Sequence, residues 1–410
     1  GGYRQDLQSL LPPNLQDKVR EDYREQIPNP EQYVAQAESR NVVKGIYGPK
    51  SNYGGGSGTV EQWAKAARDA GLGFIVFMDE FAKLTPAKLK KLQEDCRKFS
   101  APDLSLIPGY TMDTTIGDHF FVYGPGDALQ FPNERSLAGK DRTLFNMQFQ
   151  DAEGNFGKGN ACLNWILRAK NLNMNFGYYR FYDGSGTMRI YDMRAYSVAA
   201  VRTYENGRRV EDATDDFLTT VAATISPLPV TVNILHAPEE LADQAGKRIT
   251  HTYCLAAGAD PVFEDGLQYA HQYSGSPVFS SDGPIVRSWM NCMRTSTYAS
   301  ARFAPGRTFA PAFLWVESDV GLRSIKLYDG PELFRRFDFE GEKEVRRTLQ
   351  LSSAVHRNIV LIAEDLDGGT AVTFPLRVYK PNTSASFCSD QVNDCGNTYL
   401  GRGIGITQSF

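Results

Sequence analysis

Between residues 41 and 112 the apolar positions switch from strand to helix spacing and back, twice over. "NVVKGIYG" (41–48) has the length and β-branched content of a strand. In "TVEQWAKAARDAG" (59–71), Val60, Trp63, Ala64 and Ala67 recur at helical intervals and make one apolar stripe. Thr59 and Gln62 stand as a capping box, with Gly71 as the C-terminal stop. "GFIVFMDEF" (73–81) reads as a fully buried strand, so the three segments predict a β-α-β unit whose parallel strands deliver loops to one rim. A second helix, "TPAKLKKLQEDCRKF" (85–99), turns Leu89, Leu92, Cys96 and Phe99 to its buried side, and "LSLIPGYTM" (104–112) follows as a strand. The alternation continues less regularly through "DHFFVYG", "GNACLNWILRAKNL" and "GYYRFYDGSGTMRIYDMRAYSVAAV". The expected class is α/β, a barrel or doubly wound sheet reaching to about residue 300.

Beyond Arg302 the helical period fades. "PAFLWVESD", "LRSIKLYDG", "ELFRRFDFEG", "EVRRTLQLS", "NIVLIAEDLDGG" and "AVTFPLRVYK" are alternating, strand-length segments parted by turn signals that include two Asp-Gly pairs. They predict a small β-sandwich over 301–385. Residues 1–40, rich in Gln, Arg and Glu and broken by "LLPPN" and "IPNPEQ", predict a helical arm that lies on its own chain or clasps a neighbour. In the polar tail, 386–410, Cys388 and Cys395 are spaced for a small disulfide loop, which points to an oxidising, exported setting. The last residues, "GIGITQSF", alternate like a strand able to pair with a partner's sheet edge.

Charge and composition narrow the function. A net charge of -4, with the basic residues scattered, gives no footprint for nucleic acid, and no apolar run is long enough to span a membrane as a helix. The chain opens "GGYRQDL" without an initiator Met or a signal peptide, as a processed end or an expression scar would. No Gly-x-Ser-x-Gly elbow supports a serine triad. "GGGSG" does not run on into Lys-Ser or Lys-Thr, so it is no Walker loop, though its amides ahead of a helix offer a place for an anion. Asp365 and Asp367 lack the spacing of a calcium loop and read as a hairpin turn. Asn382-Thr383-Ser384 fits a glycosylation sequon, and the Tyr-, Phe- and Arg-rich stretch 176–196 suits a core face or, if exposed, stacking on sugar rings or a protein interface.

One resemblance joins these pieces. The first β-α-β unit resembles the opening of a PHP (polymerase and histidinol phosphatase) domain, whose members have a distorted seven-stranded β/α barrel, bind two or three metal ions and hydrolyse phosphoesters. The family's first strand ends in His-x-His-Ser-x-Tyr-Ser-Asp-Gly. "GPKSNYGGG" is similar to it at Ser51, Tyr53 and Gly56, but Gly48 and Lys50 stand at the two His positions and Gly55 at the Asp position. Met78-Asp79-Glu80 takes the place of Thr-Asp-His, and Gly109-Tyr110-Thr111 the place of Gly-x-Glu; His119 fits a later ligand His. "SPVFSSDGPIV" followed by the "GLRSIKLYDGPELFRRF" module is similar to exported PHP-like proteins in which a small sandwich follows the barrel.

The resemblance therefore implies a barrel over 41–300 with its metal cage mostly dismantled. Several ions held close together need converging imidazoles and carboxylates. The chain has five His, at 119, 236, 251, 271 and 356, and Lys50 would add an ammonium to the site. The expectation is that no metal or other cofactor is bound; a single ion would fall to Asp79, Glu80 and His119. Lys50 is expected to form a salt bridge with one of the two acids. Three functions stay open. The first is a non-catalytic exported scaffold that binds protein or glycan and assembles through its ends. The second is a divergent metal-dependent phosphoesterase using Asp79, Glu80, His119 and one of His236, His251 or His271. The third is a metal-independent polysaccharide-acting enzyme with Lys50, Tyr53 and Asp79 along one groove.

Overall fold

The computed structural model describes residues 38, 40–113, 119–124, 129–132, 137–138, 142–144, 175–179, 198–223, 228–257, 278–291, 300–301, 309–352 and 357–378. The predicted arm (1–40, apart from Glu38 and Arg40), the segment "GNACLNWILRAKNL", most of the aromatic stretch, His271, His356, the sequon and the Cys388–Cys395 loop lie outside these residues. No helix among the described residues is long and apolar enough to cross a membrane.

The first β-α-β unit forms as its pattern requires. Strand β1 (Arg40–Pro49) leads through the glycine-rich loop into helix α1 (Val60–Asp69). Thr59 and Gln62 make the reciprocal capping box; Val60, Trp63, Ala64 and Ala67 are the buried face; and Gly71, at φ +66°, ends the helix in the left-handed region. The next predicted strand is split in two. After β2 (Phe74–Val76) the chain changes partners, because Phe77 N–H donates to Ile107 and Met78 N–H to Pro49, and pairing resumes only at β3 (Asp79–Glu80). Helix α2 (Pro86–Phe99), capped by Thr85, buries Leu89, Leu92 and Cys96 and leaves Phe99 partly covered. It leads to β4 (Ser105–Ile107) and β5 (Gly109–Asp113), again two strands where one is predicted, then to β6 (His119–Tyr123).

From there strands dominate, so the architecture is β-rich with few helices and departs from regular α/β alternation. A short hairpin pairs β7 (Leu137–Ala138) with β8 (Thr143–Leu144). Next come β9 (Asn175–Tyr178), β10 (Val198–Glu205), β11 (Arg208–Asp212), α3 (Thr214–Ala223), β12 (Leu228–Leu235), the single turn α4 (Glu239–Ala242) and β13 (His251–Ala257). Parallel pairing joins β9–β10–β12–β1–β2–β4, and β3 lies parallel to β5; antiparallel pairing joins β5–β6–β9. The sheet is thus barrel-like. Its inner side is filled by Tyr47, Phe74, Val76, Phe121, Tyr123, Val198, Ala200, Val230 and Val232, so the interior is packed.

The C-terminal strands grow out of the same sheet. β1 pairs through its first half with β13, which continues antiparallel to β14 (Val278–Ser281). After β15 (Ile285–Asn291) and β16 (Ser300–Ala301) come β17 (Phe309–Glu317), β18 (Leu322–Asp329), β19 (Glu332–Asp338), β20 (Glu344–Ser352), β21 (Arg357–Asp365), β22 (Thr370–Thr373) and β23 (Leu376–Val378). β15, β17 and β20 form a separate antiparallel sheet, while β14–β22–β21–β18–β19 extends the main one. Their shared core includes Phe279, Trp289, Leu314, Ile325 and Leu361, so it draws on residues that precede 301. Both Asp-Gly pairs fall at hairpin turns, with Gly330 at φ +60° and Gly368 at φ +80°; the Asp365–Asp367 stretch is one of them.

A buried charge cluster joins the two parts. Arg202 of β10, 5% exposed, lies 3.3 Å from Asp212 and 3.5 Å from Asp282, donates to Thr250 at 3.0 Å, and also meets Thr370. With the guanidinium shared between two carboxylates and two hydroxyls, its charge is compensated in the interior.

Candidate functional site

Parallel strands bring their carboxyl ends to one edge, which is where open α/β sheets place ligands. Here that edge opens into a pocket of about 300 Å³. Gly48 and Lys50 enter it from the end of β1, Glu80 from β3, Thr111 and Asp113 from β5, Glu205 from β10 and Ile234 from β12; Arg142 and Tyr179 complete the wall.

The glycine-rich loop fixes Lys50 there. Ser51 N–H and Oγ both donate to the Asp79 carboxylate at 2.5 Å, and Glu80 N–H donates to the Gly54 carbonyl at 2.8 Å. Trp63 Nε1 donates to the Lys50 carbonyl at 3.0 Å, tying the loop to α1. Gly54 is required by this contact, since a Cβ there would stand 2.2 Å from that of Asp79. The loop's amides are largely consumed in holding its own shape: those of Asn52, Tyr53, Gly54, Gly56, Ser57 and Thr59 all donate within the protein. The anion seat expected from its composition is therefore not formed.

Asp79 and Glu80, adjacent on a strand, point to opposite sides. Asp79 is fully buried beneath the loop. Burial pushes its carboxyl up to about 7 against the opposing pull of the Ser51 donors and Lys50. Glu80 faces the pocket, 2.6 Å from Lys50 Nζ and 2.6 Å from Lys83 Nζ. Burial works to raise Glu80, but hydrogen bonds from the two ammonium groups outweigh it and hold the carboxyl below its usual range. The salt bridge expected of Lys50 is thus made with Glu80.

His119 does not join these acids. Its Nδ1 lies 2.5 Å from Asp113, its cross-strand partner, and its ring packs near Tyr179. His236 sits at the rim with Nδ1 3.4 Å from the Gly55 carbonyl. His251 is bonded to the Ile249 carbonyl, and burial, helped by Lys44, lowers it to about 4. Tyr53 turns away and donates to Asp95 at 2.8 Å, so Lys50, Tyr53 and Asp79 do not line a common groove. Among the described residues no three His, Cys, Asp or Glu side chains are grouped to hold a metal ion. The described residues do not fit a multinuclear centre: an ammonium stands in the mouth, and two candidate ligands, Asp79 and His119, are engaged elsewhere.

Sequence reasoning missed Asp113, Glu205, Arg142 and Tyr179. Glu205 carried a signal, because Asn206-Gly207 after it marks the β10–β11 hairpin and hence a strand end. The others carry no such local signal: Asp113 and Tyr179 reach the pocket through the β5–β6–β9 pairing, and Arg142 is held there by its hydrogen bond to the Leu84 carbonyl.

No family model and no curated protein matches this chain. Among solved structures it is similar to a two-domain protein of Bacteroides vulgatus containing a predicted PHP-like metal-dependent phosphoesterase, at 11% identity and a TM-score of 0.40, over 83% of this chain and 96% of that one. A match that loose transfers no residue roles and no chemistry to the site described above.

Proposed function

We propose that this chain is a non-catalytic binding protein, built on a PHP-like β/α barrel whose metal-dependent chemistry has been given up, and working in an exported assembly. One observation carries the reading: the Lys50 ammonium lies in the pocket mouth and is held to Glu80 at 2.6 Å, with Lys83 on the other oxygen. A cation entering there would meet a positive charge and a carboxylate already neutralised twice. The exported setting is supported by the Cys388–Cys395 spacing, and assembly through the terminal segments by the composition of 1–40 and 386–410.

The test is metal content and turnover together. Purified protein is incubated with zinc, manganese and iron(II) in turn, desalted, analysed for bound metal, and assayed with p-nitrophenyl phosphate. The expected result is less than one ion per chain and no turnover above a protein-free blank. Two ions per chain with phosphatase activity lost on chelation would establish the phosphoesterase instead.

A further inference from the structure

The pocket's own chemistry selects among ligand classes. Its wall carries three carboxylates, Glu80, Asp113 and Glu205, and two cations, Lys50 and Arg142. Glu80 is engaged by Lys50 and Lys83, and Asp113 by His119. With Lys50 and Lys83 both on Glu80 and His119 on Asp113, these charges are already paired, so an anion such as a phosphoester would have to break an ion pair to be held, and a metal or ammonium would have to displace Lys50. A neutral hydroxylated molecule disturbs no ion pair. Each carboxylate can accept about four hydrogen bonds, so acids with one or two partners still accept from hydroxyl groups. Such bonds to charged acceptors are the stronger kind. Tyr179 and Phe81 also line the pocket, but both are buried, Phe81 under the Arg142 guanidinium at 4.4 Å and Tyr179 against His119 and Phe121, so they shape the wall without presenting an open ring face. A volume of about 300 Å³ suits a small ligand or the end of a longer chain.

We propose that this pocket binds one neutral sugar residue, whose hydroxyls donate to Glu80, Asp113 and Glu205. The inference rests on the non-catalytic reading and gives that binding protein its ligand class.

Saturation-transfer NMR on the full chain tests it, with methyl glycosides of glucose, galactose, mannose and N-acetylglucosamine as neutral probes and glucuronate and inorganic phosphate as anionic ones. At least one neutral glycoside is expected to bind, and Asp113→Asn and Glu205→Gln are each expected to weaken it about tenfold or more. The Asp113 side chain is 53% exposed, so Asp113→Asn keeps the test valid should Glu205→Gln fail to fold. Absence of binding by every neutral probe, affinity unchanged in the folded variants, or tighter binding of phosphate than of any sugar would each overturn the proposal. None of these outcomes bears on metal content, so the non-catalytic reading would stand or fall separately. Conversely, metal-dependent phosphatase turnover with the sugar still bound would refute that reading and leave the ligand class in place.

Discussion

Asp79 offers the sharpest check on how the glycine-rich loop is held. Its carboxyl is fully buried, accepts two hydrogen bonds from Ser51, and is raised from 3.8 to about 7. A raised acid binds its proton in the folded state where the unfolded chain has already lost it. Stability contributed by this group is therefore fully present below about pH 4, falls as pH rises through the window up to about 7, and is flat above it. The span of about three pH units corresponds to about 4 kcal/mol, an upper figure because relaxation around the loop would reduce it. Asp79→Asn removes the titration while keeping an acceptor for Ser51 N–H, and Ser51 Oγ can turn to accept from the new amide. Unfolding of wild type and variant is compared at matched pH from about 4 to about 8, so that groups common to both cancel. Wild type is expected to lose ground to Asp79→Asn up to about pH 7, by at least about 1 kcal/mol, and to hold level with it above that. A wild type that instead gains on the variant as pH rises would mean that the Ser51 donors and Lys50 dominate over desolvation, and the reasoning would fail.

Three further outcomes follow from the same geometry. Lys50→Met should cost about 1–3 kcal/mol by leaving Glu80 with Lys83 alone, and Glu80→Gln added to it should recover part of the loss; additive effects in a double-mutant cycle would show that the pair is not coupled. Arg202→Met should cost about 3–5 kcal/mol in chemical denaturation, since Asp212 and Asp282 would lose their shared counter-charge; a loss below about 1 kcal/mol would rule out the buried cluster as a joint. Thr59→Ala should lower stability by about 1 kcal/mol and Thr59→Ser by much less, measured by thermal unfolding, because only the hydroxyl caps α1.

Local pattern settled much of the fold here. The α1 stripe, its capping box and its stop at Gly71, the buried face of α2, and the strands from β17 to β22 with their Asp-Gly turns all follow from interactions within a few residues, which is why they can be read from spacing alone. Partner choice is another matter. The splitting of 73–81 and of 104–112 depends on which neighbour accepts each amide, and the continuity of the main sheet through β13 and β14 depends on pairs as distant in the chain as Arg40 with Ala257. The same limit governs the site. Lys50, Asp79, Glu80 and His119 could be picked out one by one, but that Glu80 meets Lys50, that Asp79 is buried under Ser51, and that Asp113, Glu205 and Tyr179 complete the wall was decided by the closing of the sheet. Residue type and spacing determine what a short segment prefers; only the pairing of distant strands determines which side chains share a pocket.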